Sequence, residues 1–322
     1  MAAPRAQFSY PSGLSFVISR GSPLKNCTPI LPWKPIIALA VATFVTRAVV
    51  AADGLAIVDS PETAVAAQTE CAAKLGRAVE WANSIGMKFR LIPAGEFIMG
   101  SRNGQPDETP HRVRLTRPFY MGCFEVTRAH WETVTGKKLS DAFPGPEVPI
   151  NQITWYDATS FIKKLNTQEG VEYRLPTEAE WEFAARAGST TAYPGGDTEQ
   201  DLAKAGWYAA NDGGTLHPAG QKAANAFGLH DMNGNAWEWC EDFYDANYYA
   251  VSPIENPTGP PLSTYRYRVL RGGAAFFDAN FCRSTARNYY QDSRTTKLIG
   301  FRIVLPVTTK PPAKPGAPQP KR

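Results

Sequence analysis

The second half of the sequence, residues 189–306, contains no long segment with the periodicity of a helix or a strand. Loops and short strands rich in Gly, Asn, Asp and aromatic residues are expected there. The whole chain of 322 residues holds 26 Gly and 27 Pro beside 8 Trp, 13 Tyr and 16 Phe. This composition favours a loop-rich globular protein and argues against a helical bundle or a disordered chain.

Most regular elements are predicted before residue 189. An Ala/Glu/Thr-rich stretch at 61–85 has apolar residues at helical spacing and predicts one lead-in helix. Two β-rich segments within 87–101, MKFRLI and EFIMG, are separated by a Pro-Ala-Gly turn. Three more helices are predicted near 127–136, over 154–168 and over 176–188.

Capping residues support two of these helices. Thr127 is the expected N-cap of the helix near 127–136. Thr177 with Glu180 matches a capping box, and Gly188 is the expected stop of that helix.

The N-terminus carries a targeting pattern. An apolar run at 35–45 follows Lys25 and Lys34 and precedes a small-residue stretch, which is typical of a secretory leader cleaved near Ala51 or Ala52. An uncleaved anchor and a misassigned start codon are the alternatives, and only an uncleaved segment would place the protein at a membrane. We therefore predict an exported protein, in the periplasm or outside the cell.

Four segments follow from these patterns. Residues 1–52 are the targeting segment and 53–86 hold the lead-in helix. A single domain is expected over 87–306. The Pro- and Lys-rich tail, 307–322, has almost nothing to bury and is predicted to be disordered.

Charge gives no argument for nucleic-acid binding. The formal net charge is +4, and part of it lies in the two ends of the chain. The middle is close to neutral, so no basic surface is predicted. We expect a monomer whose substrate or partner is an exported protein or a small molecule.

Cleavage of the leader would leave an even number of cysteines: Cys71, Cys123, Cys240 and Cys282. An even count in an oxidising compartment permits disulfides, although spacing does not fix the pairing. No CxxC or Cys/His spacing is present, so a structural zinc site is not predicted.

Nine sequence segments carry a family resemblance. They are IPAGEFIMGS (92–101), DETPHRVRL (107–115), FYMGCFEVTRAHW (119–131), PINQITWYDA (149–158), YRLPTEAEWEFAARAG (173–188), NAFGLHDMNGNAWEWCEDFY (225–244), RVLRGGAAF (268–276), CRSTARN (282–288) and IGFRIV (299–304). In this order they resemble the formylglycine-generating enzyme (sulfatase-modifying factor) family over nearly all of 87–306. The resemblance implies an α+β, loop-rich fold related to C-type lectins.

The resemblance also implies a calcium site in the loop DMNGNAWEW. Carried over by position, its ligands are the side chains of Asp231 and Glu238 and the backbones of Gly234 and Ala236. Carboxylate and carbonyl oxygens are the donors that calcium takes. The alternative is a turn in which Glu238 pairs with an arginine such as Arg271. A second calcium site near Asn211 and Asp212 is not aligned.

The catalytic positions of the family are altered. The family holds copper(I) with two thiolates in the loop after the RGG motif, as suits a soft ion. Here the first of these positions matches Phe277. Cys282 lies nine residues beyond Gly273, but the following CRSTARN motif implies a shorter loop that leaves the second position without a cysteine too. Ala274 replaces a serine of the oxygen pocket, so copper binding is not expected.

Three candidates remain for the site chemistry: Cys282, Cys240 and Trp237, whose family counterpart helps to line the oxygen pocket. A disulfide between Cys240 and Cys282 is the favoured pairing in an exported protein. Two inert buried thiols and a displaced soft-metal pair are the alternatives.

The other polar and aromatic candidates are interpreted structurally. Four histidines, two of them in loops without helical spacing, favour surface positions over a metal triad. Arginines at 271, 283, 287 and 302 are expected to be buried and paired. Tryptophans at 155, 181 and 239 are expected in the core.

Two functions stay open at this stage. The first is an oxidoreductase that modifies an exported protein or small molecule by an altered mechanism. The alternative is a non-catalytic, calcium-stabilised binding or accessory protein. They differ in whether a redox thiol pair or a soft metal exists at Cys240 and Cys282.

Overall fold

The computed structural model describes residues 55–138 and 145–307. The predicted targeting segment, 1–52, and all of the tail beyond Val307 lie outside the described residues. Within the described part, no helix combines the length and apolar character needed to cross a membrane.

The α-helices of the described residues share one kind of start. In each, a Ser or Thr hydroxyl at the N-cap accepts the N–H three residues on, and the residue at that third position reaches back to the cap. This reciprocal bonding fixes where each helix begins. The helices are α1 (Pro61–Leu75), α2 (Arg128–Thr135), α3 (Trp155–Glu169), α4 (Glu178–Arg186) and α5 (Glu199–Ala205).

These bounds confirm the helices expected within 61–85, near 127–136 and over 154–168. The capping box at Thr177 is also confirmed, but the expected stop at Gly188 is wrong by one residue, because Ala187 takes the left-handed conformation (φ 44°). Gly188 is required for another reason. A Cβ there would lie 2.0 Å from the carbonyl oxygen of Ser60, so the α4 end packs directly on the α1 start.

Helix α5 was not predicted. It lies in the segment expected to be loops and short strands. Its signal is short but present, since Thr198 and Asp201 form the same capping box.

Three small sheets hold the strands of the described residues. Their orders are β1-β4-β5, β11-β6-β3-β2 and β10-β7-β8-β9. The strands are β1 (Ala56–Ile57), β2 (Glu80–Ala82), β3 (Lys88–Ile92), β4 (Gly95–Met99), β5 (His111–Leu115), β6 (Phe119–Gly122), β7 (Trp237–Phe243), β8 (Tyr267–Arg271), β9 (Arg287–Gln291), β10 (Ile299–Gly300) and β11 (Val304–Pro306). The two predicted β-rich segments are β3 and β4, and they join different sheets.

Strand β7 lies at the centre of the molecule. Five of its seven residues are buried, Phe243 is half-buried and Glu241 alone in the strand is exposed, so the strand shows no regular polar alternation. Trp237 and Trp239 are fully buried in one apolar cluster with Phe89, Phe161 and Phe301. Trp181 is also fully buried, whereas Trp155 is only half-buried, so the expected core position is confirmed for all but Trp155.

Buried ion pairs connect the loops to these elements. Arg271 donates to Glu182 at 2.5 Å and to Glu178 at 3.3 Å. Arg287 donates two bonds to Glu178, at 2.7 and 3.0 Å. Arg283 makes a similar fork on Glu108, at 2.7 and 2.8 Å. Arg271 and Arg287 are buried and paired as expected, whereas Arg283 is paired but only half-buried.

Arg302 is fully buried and pairs with Glu238 through two bonds of 2.6 Å. Replacement by Met (Arg302→Met) should lower the free energy of unfolding by about 3–5 kcal/mol, because it leaves a buried carboxylate without its partner. Denaturant unfolding followed by tryptophan fluorescence measures this loss.

The double variant Arg302→Met with Glu238→Gln provides the control. It removes both charges, so it should recover part of the loss. A single variant that loses less than about 1 kcal/mol would show that the pair is not a major support of the fold.

Candidate functional site

Two glycines carry the chain out of strand β8 and into the loop at 274–282, where the resemblance predicts the site chemistry. Gly272 and Gly273 both have positive φ, at 98° and 76°. A Cβ on Gly272 would lie 3.2 Å from the Trp181 ring, and one on Gly273 would lie 2.5 Å from Cys282 Sγ. The RGG motif is therefore needed for close approach as well as for backbone conformation.

The loop at 274–282 presents aromatic side chains. Phe277 packs edge-on against Trp237 at a ring distance of 5.6 Å, and Phe281 packs edge-on against Phe277 at 5.3 Å. Phe276 and Phe281 remain 39% and 44% exposed. We call Phe276, Phe277 and Phe281 the aromatic surface.

Hydrogen bonds from neighbouring loops hold this segment in place. Asp212 accepts the N–H groups of Phe276 at 2.6 Å and Gly214 at 2.8 Å. Ala275 N–H donates to the Asn235 carbonyl at 2.9 Å, and the Phe277 carbonyl accepts from Ala209 N–H at 3.0 Å. The Asp212 bond supports the left-handed conformation of Phe276 (φ 72°), which is strained for an aromatic residue.

Asn211 and Asp212, the region named above for a second calcium site, thus adjoin the loop at 274–282, because Asp212 accepts the Phe276 N–H. Asn211 accepts Tyr208 N–H at 2.8 Å and donates to the Gly206 carbonyl at 3.1 Å. Both Asn211 and Asp212 use their side chains to fix the backbone.

The two candidate cysteines do not form a pair. Cys240 lies on β7 in the cluster that contains Trp181 and Phe183, whereas Cys282 lies in a separate small cluster with Tyr193 and Leu202. Both are free thiols, so the expected disulfide is wrong. The reason is positional: Cys240 is part of a central strand, and Cys282 is enclosed behind Gly273.

Burial also suppresses thiolate formation at these positions. It raises the pKa of Cys282 to about 12 and that of Cys240 well above its ordinary value. A soft metal is held by thiolates, so neither sulfur is prepared for such an ion.

Thiol labelling tests this arrangement. Cys71, Cys123, Cys240 and Cys282 should each be recovered as a thiol when the protein is denatured without reductant. In the folded protein, alkylation at pH 8 should modify Cys71, which is half-buried, at least tenfold faster than Cys282. Peptide mass spectrometry distinguishes the four positions, and a Cys240–Cys282 cross-link would contradict the structure.

The predicted calcium loop has a mixed outcome. Asp231 Oδ2 accepts Gly220 N–H at 2.6 Å, while the buried Oδ1 has no partner among the described residues. The carbonyl oxygens of Gly234 and Ala236 likewise accept no hydrogen bond from a described residue. These three positions suit a hard cation.

Glu238 does not suit the same ion. One of its oxygens accepts from Arg302 alone, and the other accepts from Arg302 and from Trp181 Nε1 at 2.8 Å. The alternative in which Glu238 pairs with an arginine is therefore confirmed, but its partner is Arg302 and not Arg271. As a set, the four predicted ligands do not fit the ion, because one is already engaged.

Sequence reasoning missed Glu125, which is buried beside this loop. Its Oε1 accepts from Asn235 Nδ2 at 3.2 Å, and its Oε2 has no partner among the described residues. Burial raises its pKa well above the usual range, and the Asp231 and Glu238 carboxylates raise it further. The sequence around Glu125, FEVT at 124–127, gives no indication that this residue lies beside the predicted calcium loop.

The histidines fix turns and do not form a metal triad. His217 Nε2 bonds to the Asp212 carbonyl at 2.7 Å, and His230 Nδ1 bonds to the Lys222 carbonyl at 2.8 Å. All four histidines are half-buried, so each keeps part of its side chain at the surface. Across the described residues, no group of three or more His, Cys, Asp and Glu side chains is arranged to hold a metal.

A cavity of about 660 Å³ lies elsewhere, between β7, β11 and the Pro-rich segment 257–261. Arg174, Arg268 and Glu241 line it, and none of the predicted site residues does. Arg174 is already paired with Glu180 by two bonds of 2.6 Å. We therefore place the candidate site at the aromatic surface.

Comparison with known proteins decides the family. The model of the sulfatase-modifying factor enzyme 1-like domain matches residues 82–307. The chain belongs to this family.

Two named relatives illustrate what the chain is similar to. The formylglycine-generating enzyme of Streptomyces coelicolor is 35% identical over 285 residues, which cover 66% of this chain and 87% of that enzyme. The serine/threonine-protein kinase pkn1 of Chlamydia caviae is 31% identical over 242 residues. The chain spans about 37% of the length of that kinase.

Two solved structures of similar fold confirm the loop-rich α+β architecture expected for the family. Treponema denticola variable protein 1 superposes with a TM-score of 0.65 at 26% identity, over 71% of this chain and 99% of that one. PvdO from Pseudomonas aeruginosa superposes with a TM-score of 0.64 at 28% identity, over 71% and 98%.

Proposed function

We propose that this member of the sulfatase-modifying factor family is an exported, calcium-stabilised binding protein that recognises its ligand at the aromatic surface. The exported location rests on the leader-like pattern of residues 35–52. A monomer is proposed as well.

One observation carries the proposal. In the loop where the family resemblance places two metal-binding thiolates, Phe277 stands at the first position, Phe276 and Phe281 are exposed, and the one cysteine of the loop, Cys282, is enclosed behind Gly273. Thiolate chemistry needs an accessible sulfur of low pKa, and Cys282 has neither property. Exposed aromatic rings on a braced loop instead suit a contact surface, since rigid aromatic anchors contribute strongly to binding.

The bracing of the loop adds to this argument. Phe276 is held in a strained conformation by the Asp212 carboxylate, and Phe277 is packed on the buried Trp237. A preformed surface loses little conformational entropy when it binds, which favours affinity. Persistent strain is also more common at functional sites than elsewhere.

The runner-up is an oxidoreductase with an altered mechanism. The observation that favours it is the 35% identity to a relative named formylglycine-generating enzyme. Trp237, whose family counterpart helps to line the oxygen pocket, is retained and packs against Phe277 of the loop. The enclosed position of the Cys282 sulfur is a stronger observation than this sequence identity. The copper-dependent oxidation of the family depends on accessible thiolates.

An aldehyde assay separates the two functions. The purified protein is incubated with a CxPxR peptide, copper and a thiol reductant, and the peptide is then probed for aldehyde by hydrazide capture. We expect none above the rate without protein, because no accessible thiolate pair is present. Aldehyde formation that is lost in Cys282→Ala would contradict the binding proposal.

The aromatic surface is tested with paired variants. Binding of labelled protein to peptide and glycan arrays identifies ligands, and affinities are then measured by calorimetry. The variant Phe276→Ser with Phe281→Ser should weaken binding at least tenfold, because it removes two aromatic anchors.

The matched control is Leu262→Ser, which removes another apolar side chain that is 69% exposed but lies outside the loop. It should bind like the unmodified protein. Equal affinity of the loop variant and the control would show that the ligand is recognised elsewhere.

A further inference from the structure

The cavity of about 660 Å³ between β7, β11 and the Pro-rich segment 257–261 contains charged side chains that the fold leaves without partners. Its volume lies in the range of sites that bind small organic ligands. Its apolar lining includes Leu115 and Phe119, both of which are buried. The cavity shares no lining residue with the aromatic surface, so it is a separate candidate for ligand binding.

The Pro-rich segment forms a wall that is fixed at two points. Gly259 has a φ of 77°, and a Cβ there would lie 2.8 Å from the Asp242 Cβ, so the segment packs directly on β7. Next to the segment, Asn256 Oδ1 accepts the Thr116 N–H at 2.9 Å. The three prolines at 257, 260 and 261 have a fixed φ and no N–H to donate. This wall therefore gives the cavity its shape and contributes few hydrogen-bond donors.

Arg268, on strand β8, lines the cavity and forms no ion pair among the described residues. Its guanidinium lies against the rings of Phe243 and Trp155, at 3.6 and 3.9 Å from the ring centres. Nη1 donates to the Glu241 carbonyl, and the buried Nε has no hydrogen-bond partner in the described part of the chain. Nη2 likewise donates to no described residue, so the outer edge of this guanidinium is available to a ligand.

The pKa values of two arginines in the cavity show which of them is compensated. Burial opposes the charge of Arg174, but pairing with Glu180 through two bonds of 2.6 Å raises the pKa of Arg174. Burial lowers the pKa of Arg268, although the Asp292 and Glu241 carboxylates act in the opposite direction. Neither of these two carboxylates forms an ion pair with Arg268, so its charge remains uncompensated by the fold.

The charges of the lining residues leave a small positive excess. Three arginines, at 117, 174 and 268, stand with two carboxylates, at 180 and 241, so the fully ionised lining has one more positive than negative charge. Arg117 is exposed and has no ion pair within the described ranges. Glu241 is also exposed, and its carboxylate accepts no hydrogen bond from a described residue. A ligand with one negative charge would balance this lining, whereas Glu241 would repel a doubly charged phosphate.

We propose that this cavity binds an apolar monocarboxylate, whose carboxylate is held by Arg268 and whose body lies against the proline and phenylalanine side chains. A planar guanidinium recognises the two oxygens of a carboxylate, and the rings stacked on Arg268 hold its plane in place. The free C-terminus of an apolar peptide and a small carboxylic acid share this chemistry. The inference does not depend on the function proposed for the aromatic surface.

Calorimetry with simple carboxylates tests the site. The full chain is titrated at low salt with 4-phenylbutyrate and with N-acetyl-leucyl-phenylalanine, and each titration is repeated with the corresponding amide. At least one carboxylate should bind at least tenfold more tightly than its amide, because the amide has no charge for Arg268. Tighter binding of the dipeptide identifies a peptide C-terminus as the source, and tighter binding of 4-phenylbutyrate identifies a small acid. If neither carboxylate binds more tightly than its amide, the proposal is overturned.

Two variants should change the affinity in opposite directions. Arg268→Gln removes the positive charge and should weaken 4-phenylbutyrate binding at least tenfold. Glu241→Gln removes a like charge and should strengthen this binding by roughly two- to threefold and improve the binding of phenyl phosphate. A gain in affinity at an exposed position cannot result from damage to the fold.

Arg294→Gln makes the same chemical change at an exposed position outside the cavity and is the matched control. It should bind 4-phenylbutyrate like the unmodified protein. Near-ultraviolet circular dichroism verifies that each variant is folded, and the Glu241→Gln result decides alone if Arg268→Gln is not. If folded Arg268→Gln keeps full affinity, or if Glu241→Gln brings no gain, the carboxylate binds elsewhere and the assignment to this cavity is wrong.

Discussion

The ion pair between Glu238 and Arg302 joins parts of the protein that share little regular hydrogen bonding. Glu238 lies on the central strand β7, and Arg302 lies between the short strands β10 and β11. Through the same two side chains, helix α4 is bonded by Trp181 and strand β6 by the Gly122 carbonyl. Because the loops offer few ladder bonds, buried charged pairs of this kind take over the role of fixing their relative positions.

This pairing determines what the surrounding residues can do. Both oxygens of Glu238 accept from Arg302, whereas Asp231 Oδ1 and Glu125 Oε2 are buried without a hydrogen-bond partner among the described residues. Since Gly272 must pass close to Trp181, the following loop begins at a fixed point. The stability of the core and the form of the candidate site therefore depend on the same few buried side chains.

Local patterns in the sequence predicted local structure well. Capping boxes such as Thr177 with Glu180 involve residues three apart, so their physics is readable from the chain itself. The family resemblance supplied the fold, because its motifs span the whole domain.

Long-range partners were the part that sequence could not supply. Arg302 is 64 residues from Glu238, and Arg271 is 89 residues from Glu182, so nothing local distinguishes the correct partner from another buried arginine. The same limit applies to Cys240 and Cys282, whose even count permitted a bond that their positions do not allow. Glu125 was missed because its neighbours belong to a segment more than one hundred residues away.

The attachment of the 274–282 loop has a consequence for which of its residues can vary. The loop starts at glycines packed on Trp181, and just beyond its end the carbonyls of Ser284 and Thr285 accept bonds from Arg271. Both anchor points thus converge on one buried structural centre. The side chains of Phe276 and Phe281 are exposed between these anchors, so we expect them to tolerate exchange while the centre keeps its form.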